Sequence, residues 1–144
     1  MDLERGYRAV VAAADPALDK RLSDELDQVN AAATPGVAPA RELTVRLLDG
    51  AGELAAGMSG WTWGTAAGIA MTWVRAQARG TGLGARLLAE FETEARVRGC
   101  THVFVTSFTF QAPGFYERHG YREIFRWEGV PTDDAADVHL RKDL

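Results

Sequence analysis

The sequence predicts a mixed α/β fold: one domain over residues 1–144, built on a central mixed sheet of six to seven strands with helices on both faces. Three observations carry that prediction. Strand-like and helix-like segments follow in the order β-α-β-β-β-α-β-α-β-β. Residues 68–106 read as strand, glycine-rich loop, helix and strand, a right-handed crossover between parallel strands. A chain of 144 residues, 47% apolar and 25% charged, can bury one core, and no repeat or low-complexity tract divides it.

The elements follow from local patterning. Tyr7 to Ala12 reads as a first strand. Asp15 then caps a helix that tolerates Pro16 in its first turn, where that N–H has no helical partner. Leu18, Leu22, Leu26 and Val29 recur at helical spacing and predict one buried stripe, with charged residues between them on a solvated face. Residues 31–41 are rich in alanine, carry Pro35, Gly36 and Pro39 and predict a loop with room for one short helical turn. Arg41 to Leu48 alternates as a strand, and Asp49-Gly50 signals a hairpin turn. The next strand holds Gly57 and Gly60, which predict bulges, and ends with Trp61 and Trp63 on one face. In residues 68–75, Ile69, Met71 and Trp73 alternate with Ala70, Thr72 and Val74. Leu83, Leu87, Leu88, Phe91 and Ala95 mark a second amphipathic helix ending near Gly99. Strands at 102–106, 121–127 and 137–141, a short helix at 113–119 and a polar loop at 129–136 complete the chain.

Composition narrows the function. The net charge of −4 argues against nucleic acid as the main partner. No apolar run approaches the ~20 residues that cross a bilayer, so no membrane role is expected. Met1 to Arg5 opens with acids rather than a signal-peptide pattern, which makes a cytoplasmic protein the expectation. The single cysteine, Cys100, rules out an internal disulfide and a cysteine-rich zinc site, and its residue type predicts burial.

Chemistry concentrates in Arg79-Gly80-Thr81-Gly82-Leu83-Gly84. A helix start presents N–H groups without acceptors and roughly half a positive charge. Glycines remove the side chains that would keep an anion away from those groups. Arg79 adds a guanidinium fork suited to phosphate, and Arg75 and Arg86 add positive potential nearby. Leu83-Gly84-Ala85 lacks the Gly-Lys-Ser/Thr ending of a Walker A loop. Gly80, Gly82 and Ala85 do fit a dinucleotide fingerprint. That fold, however, wants an acid after the next strand, and Thr101 to Gln111 contains none.

The arrangement resembles the GCN5-related N-acetyltransferases (GNAT), whose signature [Q/R]-x-x-G-x-[G/A] is filled by Arg79, Gly82 and Gly84. A second segment, Gln111-Ala112-Pro113-Gly114-Phe115-Tyr116-Glu117-Arg118-His119-Gly120-Tyr121, is similar to the family's later aromatic-Tyr helix ending in Gly-Tyr. The resemblance implies a GNAT-like acyltransferase fold, with fourth and fifth strands (68–75 and 102–106) splayed around a pantetheine arm and no metal. It implies that Thr72 to Arg75 hold the arm and that Arg79, Gly80, Thr81, Gly82, Leu83, Gly84 and Ala85 hold the pyrophosphate of acetyl-CoA or another acyl-CoA. It further implies direct attack by an amine, an oxyanion donor near the Val74 N–H, and Tyr116 as acid or hydrogen-bond donor to the leaving thiolate. A packed aromatic beside Phe115 is the alternative for Tyr116.

The family's usual base, an acid on the fourth strand, is missing from Gly68 to Val74; Glu117, His119 and Glu123 are the remaining candidates, and a water chain needs none of them. Trp61, Trp63 and Thr72 are candidates for contact with the acceptor, with core packing the alternative for the tryptophans. Asp133, Asp134 and Asp137 read as a solvated turn or as a preference for a cationic acceptor. Three readings stay open: transfer from acyl-CoA to a small-molecule amine, transfer from the phosphopantetheine of an acyl carrier protein, and a non-catalytic CoA-binding regulatory module. Protein acceptors also stay open, and a homodimer across the final strands is common in the resembled family.

Overall fold

A computed structural model describes residues 6–144; Met1 to Arg5, read above for targeting, lie outside the described residues. Contacts divide the chain into two units, one up to Gly36 and one from Val37 to Leu144.

In the first unit, α1 (Pro16–Ala33) starts where expected: the Leu18 N–H donates to the Asp15 carboxylate at 3.0 Å, and proline occupies the first turn. Lys20–Asp24 and Arg21–Glu25 pair one turn apart on its surface. Two expectations fail here. Tyr7 to Ala12 forms no strand, and Leu18, Leu22, Leu26 and Val29 are 50–62% exposed rather than buried. Both have one cause within this unit: α1 is its only regular element among the described residues. No neighbouring strand takes up the backbone of 7–12, and no second apolar face covers the stripe. The helical turn allowed for in the alanine-rich stretch is the end of α1 itself, which continues through Ala31 to Ala33 because alanine favours helix strongly.

The second unit holds a six-stranded sheet in the order β1-β2-β3-β4-β6-β5. β1 (Arg41–Leu48) pairs antiparallel with β2 (Leu54–Trp63) across the Asp49 turn, whose carboxylate accepts from the Ala51 and Glu53 N–H groups at 2.9 and 3.0 Å. β3 (Ala66–Val74) pairs antiparallel with β2. β4 (His102–Phe108) returns parallel to β3 after α2 (Leu83–Val97). A short α3 (Pro113–Arg118) leads to β5 (Arg122–Glu128), and β6 (Ala136–Asp143) runs antiparallel between β4 and β5.

One irregularity sets the facing of β3. The β2–β3 register jumps between Ser59 and Gly60, so Ile69 lies opposite Gly60 while Met71 lies opposite Ser59, and Ala70 is the extra residue. Strict alternation would put Ile69, Met71 and Trp73 together. The bulge instead puts Thr72 and Val74 on the side of the sheet that carries the core, opposite Met58 and Ala56, and sends Met71 and Trp73 to the other face. Gly60 permits this: a Cβ there would run into the Gly68 carbonyl and reach the Phe91 ring at 3.0 Å. Gly57, the other expected bulge site, sits in regular pairing.

The core lies on one face of the sheet. Leu87, Leu88, Phe91 and Ala95 of α2 pack on Leu43, Met58, Ala67, Ile69, Val103 and Val105, and Tyr116 of α3 joins the same cluster. Each fully buried aliphatic contributes roughly 1.5–3 kcal/mol. Glu92 is buried on α2, and both neighbours satisfy it: Lys142 donates at 2.7 Å and the Tyr121 hydroxyl at 3.0 Å. Cys100 is buried and free, as its residue type predicts.

β3 and β4 pair only from Ala66↔His102 to Ile69↔Val105. Beyond that point Ala70 to Val74 and Thr106 to Phe108 find no partner across the gap, while β4 stays paired to β6 as far as Phe108. The parting that the resemblance implied is present.

Candidate functional site

The parted strands open a groove of about 990 Å³, bounded by Ile69 to Val74, Val105 to Ser107, the loop 78–85 and α3. Its charged end is the glycine loop. Gly80 (φ +76°) and Gly82 (φ +88°) adopt left-handed backbone that other residues rarely take, and no atom lies within 4 Å of where either Cβ would stand. Gly82 caps α2, whose first helical hydrogen bond there runs from the Arg86 N–H to the Gly82 carbonyl at 3.1 Å. The N–H groups of Leu83, Gly84 and Ala85 therefore lack helical acceptors, beside open space and with no acid in the first turn. The Thr81 hydroxyl is turned back onto the Ala78 carbonyl, which holds the loop closed on itself.

The arginines divide. Arg79 lines the groove and donates from Nε to the Val74 carbonyl at 3.0 Å. Arg75 instead pairs with Asp49 at 2.8 Å, and that hydrogen bond holds the Asp49 carboxyl below its usual range. Arg75 and Arg86 line a neighbouring cavity of about 470 Å³ together with Arg46. Gly84 answers to packing as well: the Phe115 ring comes within 3.2 Å of where its Cβ would be.

The neutral end of the groove is set by strand geometry. The Arg75 N–H bonds to the Ala55 carbonyl at 3.0 Å, so alternation points the N–H groups of Val74 and Thr72 the other way, into the gap. Tyr116 rises from α3 on the core side of the sheet. Its ring is 6% exposed and meets Phe115 and Tyr121 edge-on, and its hydroxyl donates to Thr72 Oγ1 at 3.1 Å. Burial, opposed by that hydrogen bond, pushes the phenol above its ordinary range. Tyr116 is thus a proton donor throughout neutral pH.

Thr72 and Tyr116 come together, and Val74 and the glycine loop share their groove. Trp61 and Trp63 do not line it. They stand on the opposite face, 38% and 37% exposed, with the Trp61 indole laid over Gly68. Trp73 and Met71 connect the two regions, since the bulge puts them on the tryptophan face while they also border the groove. Sequence reasoning passed over Thr106, Ser107 and Gln111. Ser107 is buried and accepts the Ala112 N–H at 3.2 Å, and Gln111 accepts the Phe108 N–H at 2.8 Å, which fixes the chain as it leaves β4. Their only signal was polarity at the end of an apolar strand.

Of the candidate bases, His119 lines the groove with Nδ1 bonded to the Phe115 carbonyl at 2.8 Å. Glu123 pairs with Arg126 at 2.7 Å, and Glu117 is exposed on α3. Asp137, grouped with the acids of the preceding turn but also read as the start of the last strand, lies within β6. Among the described residues no three His, Cys, Asp or Glu side chains gather to hold a metal, and no helix is long and apolar enough to cross a membrane.

Comparison with known proteins agrees with this geometry. The family model described as the acetyltransferase (GNAT) domain matches residues 41–123. Blasticidin-S acetyltransferase of Streptomyces morookaense is 49% identical over 75 residues, a match covering 49% of this chain and 53%, about half, of that relative. An acetyltransferase of Agrobacterium fabrum is 30% identical over 111 residues, covering 77% of this chain and 80% of its own length. The crystal structure of an acetyltransferase from Bacillus cereus matches with a TM-score of 0.80 at 27% identity, covering 94% of this chain and 98% of that one.

Proposed function

The chain belongs to the GNAT acetyltransferase family, and from that premise we propose that it transfers an acetyl group from acetyl-CoA, or a related acyl-CoA, to an amine of a small molecule. The observation that carries the reading is the continuity of one groove from the side-chain-free helix start at Gly80 and Gly82 to the parted strands beside Tyr116. The residues present fit such a donor: open space over both left-handed glycines admits diphosphate oxygens, and the unpaired edge of β3 offers N–H and C=O groups to an amide-bearing arm. Acetyl-CoA supplies an activated thioester when bound there.

Each residue then has a defined task. The amides of Leu83 to Ala85 and the Arg79 guanidinium bind the diphosphate. The N–H groups of Val74 and Thr72 point into the gap where an oxyanion would form, and the Thr72 side chain meets the Tyr116 hydroxyl. Tyr116 donates a proton or hydrogen bond to the departing sulfur. The acceptor enters from the face that carries Trp61, Trp63, Met71 and Trp73, opposite α2 and α3. Aromatic walls of that kind suit a flat organic amine. The relative's name makes blasticidin S the first acceptor to offer.

Calorimetric titration with acetyl-CoA, followed by thiol release with a panel of amines headed by blasticidin S, tests the proposal. Saturable binding and amine-dependent release are expected. Gly82→Glu, which places a carboxylate at the anion site, abolishes binding. Acetyl-CoA binding that survives Gly82→Glu, or thiol release indifferent to every amine, overturns the reading.

A further inference from the structure

The strand that feeds the groove offers no acid to take a proton from the acceptor, yet an alkylamine is protonated at neutral pH and must lose a proton before it can attack. A histidine–carboxylate pair stands on β6, across β4 from that strand and on the face from which the acceptor enters. His139 of β6 lies directly across from Thr106, the first β4 residue past the point where β3 and β4 part, and Thr106 borders the groove. Cross-strand partners share a face, so the imidazole stands beside Thr106 and on the side of the sheet opposite Tyr116. Its Nε2 meets Asp137 Oδ2 at 3.1 Å. An ionised carboxylate only accepts, so Nε2 carries the proton and Nδ1 presents its lone pair. Nδ1 has no hydrogen-bond partner among the described residues. The ring is fixed edge-on against Phe104 and Phe125, with centroids 5.7 and 5.3 Å away. Asp137 is 15% exposed, and its Oδ1 is buried without a partner, so His139 is the group that faces its charge.

We propose that His139, oriented by Asp137, is the base that accepts the acceptor's proton, directly or through one water, in the transfer reaction proposed above. The proposal rests on that reading of the groove. In the step, the ammonium gives one proton to Nδ1 and the freed nitrogen pair forms the N–C bond. As the C–S bond breaks, Tyr116 gives its proton to sulfur, and the second nitrogen proton restores the phenol. The imidazolium, held against the Asp137 carboxylate, releases its proton to solvent. The products are an amide, a thiol and one proton. Phe104 and Thr106 of β4 and Phe125 and Trp127 of β5 bring no charge to this face. Arg141 on β6 and Arg122 on β5, both drawn toward Asp143, are the other charged groups these strands place on it, and His102 of β4 faces Asp143 further on.

The test compares wild type with His139→Gln and Asp137→Asn across pH, using one alkylamine acceptor that supports thiol release. Acetyl-CoA affinity and melting temperature serve as readouts of an intact groove and fold. Both variants are expected to bind acetyl-CoA as wild type does. His139→Gln is expected to lose about 10²- to 10⁴-fold in kcat/KM at neutral pH. Its rate should then climb about tenfold per pH unit as the free amine becomes available without a base. Asp137→Asn is expected to lose less, with the same trend. Wild-type rates in His139→Gln, or a deficit of constant size at every pH as a packing defect would give, overturn the assignment of His139. A wild-type protein that binds no acetyl-CoA, or releases thiol with no amine, removes the acyltransfer reading itself and the base with it.

Discussion

Removing the Tyr116 hydroxyl separates folding from chemistry. Tyr116→Phe leaves the ring in place, edge-on to Phe115 at 5.1 Å and to Tyr121 at 5.6 Å, and deletes one hydrogen bond, to Thr72 at 3.1 Å. A neutral hydrogen bond of this kind contributes about 0.5–1.5 kcal/mol net. Thr72 is exposed and its hydroxyl can turn to water, so the cost falls at the lower end, about 0.5 kcal/mol. For a chain of this size that lowers the melting temperature by about 1–2 °C. The rate responds far more. Loss of the donor proposed for the leaving sulfur is expected to lower turnover by about 10²-fold or more, while the end of the groove proposed for the diphosphate is untouched. Thiol release at saturating acetyl-CoA reads the first effect, and calorimetric affinity for acetyl-CoA reads the second. Turnover within twofold of wild type would refute the role of Tyr116, and a large loss of acetyl-CoA affinity would refute the division of the groove into a charged end and a reacting end.

Two further outcomes concern stability. Gly68→Ala drives a methyl group into the Trp61 indole, which must leave its place on the sheet; a loss of about 1–3 kcal/mol is expected by thermal or denaturant unfolding, and a neutral result would show that the indole moves freely. Burial raises both the Tyr116 and the Tyr121 phenols, with the Glu92 charge adding to the effect at Tyr121. In the unfolded chain both lose their protons near pH 10, so the stability they contribute is complete below that pH and is lost as pH rises above it. Wild type should therefore weaken more steeply above about pH 10 than the Tyr116→Phe/Tyr121→Phe double variant, and parallel alkaline denaturation curves would contradict this.

Much of the sheet was legible because each of its signals is local. The alternation of Arg41 to Leu48, the Asp49 turn, the apolar stripe of α2 and the glycine loop all lie within a few residues of one another, and local sterics and hydrogen bonding decide them. The loop's open space over Gly80 and Gly82 is what its glycines implied, and its place at a parting between strands is what the family resemblance carried by Arg79, Gly82 and Gly84 implied. The first segment was misread for the opposite reason. Tyr7 to Ala12 and the stripe of α1 carry the right residues, but a strand or a buried face exists only where a second element meets it, and the described residues of their own unit supply none.

By itself the sequence determined the order and type of the elements from Arg41 onward, the crossover, and the glycine-rich helix start, because backbone conformation and side-chain period are written residue by residue. The tertiary structure alone decided which residues meet. The bulge at Ala70 turned Met71 and Trp73 away from Thr72 and Val74; Phe115 came to lie over Gly84; and His139, thirty-three residues from Thr106, became its neighbour. Such meetings depend on strand register and helix packing summed over the whole sheet, and a single shift in pairing reverses every side chain beyond it.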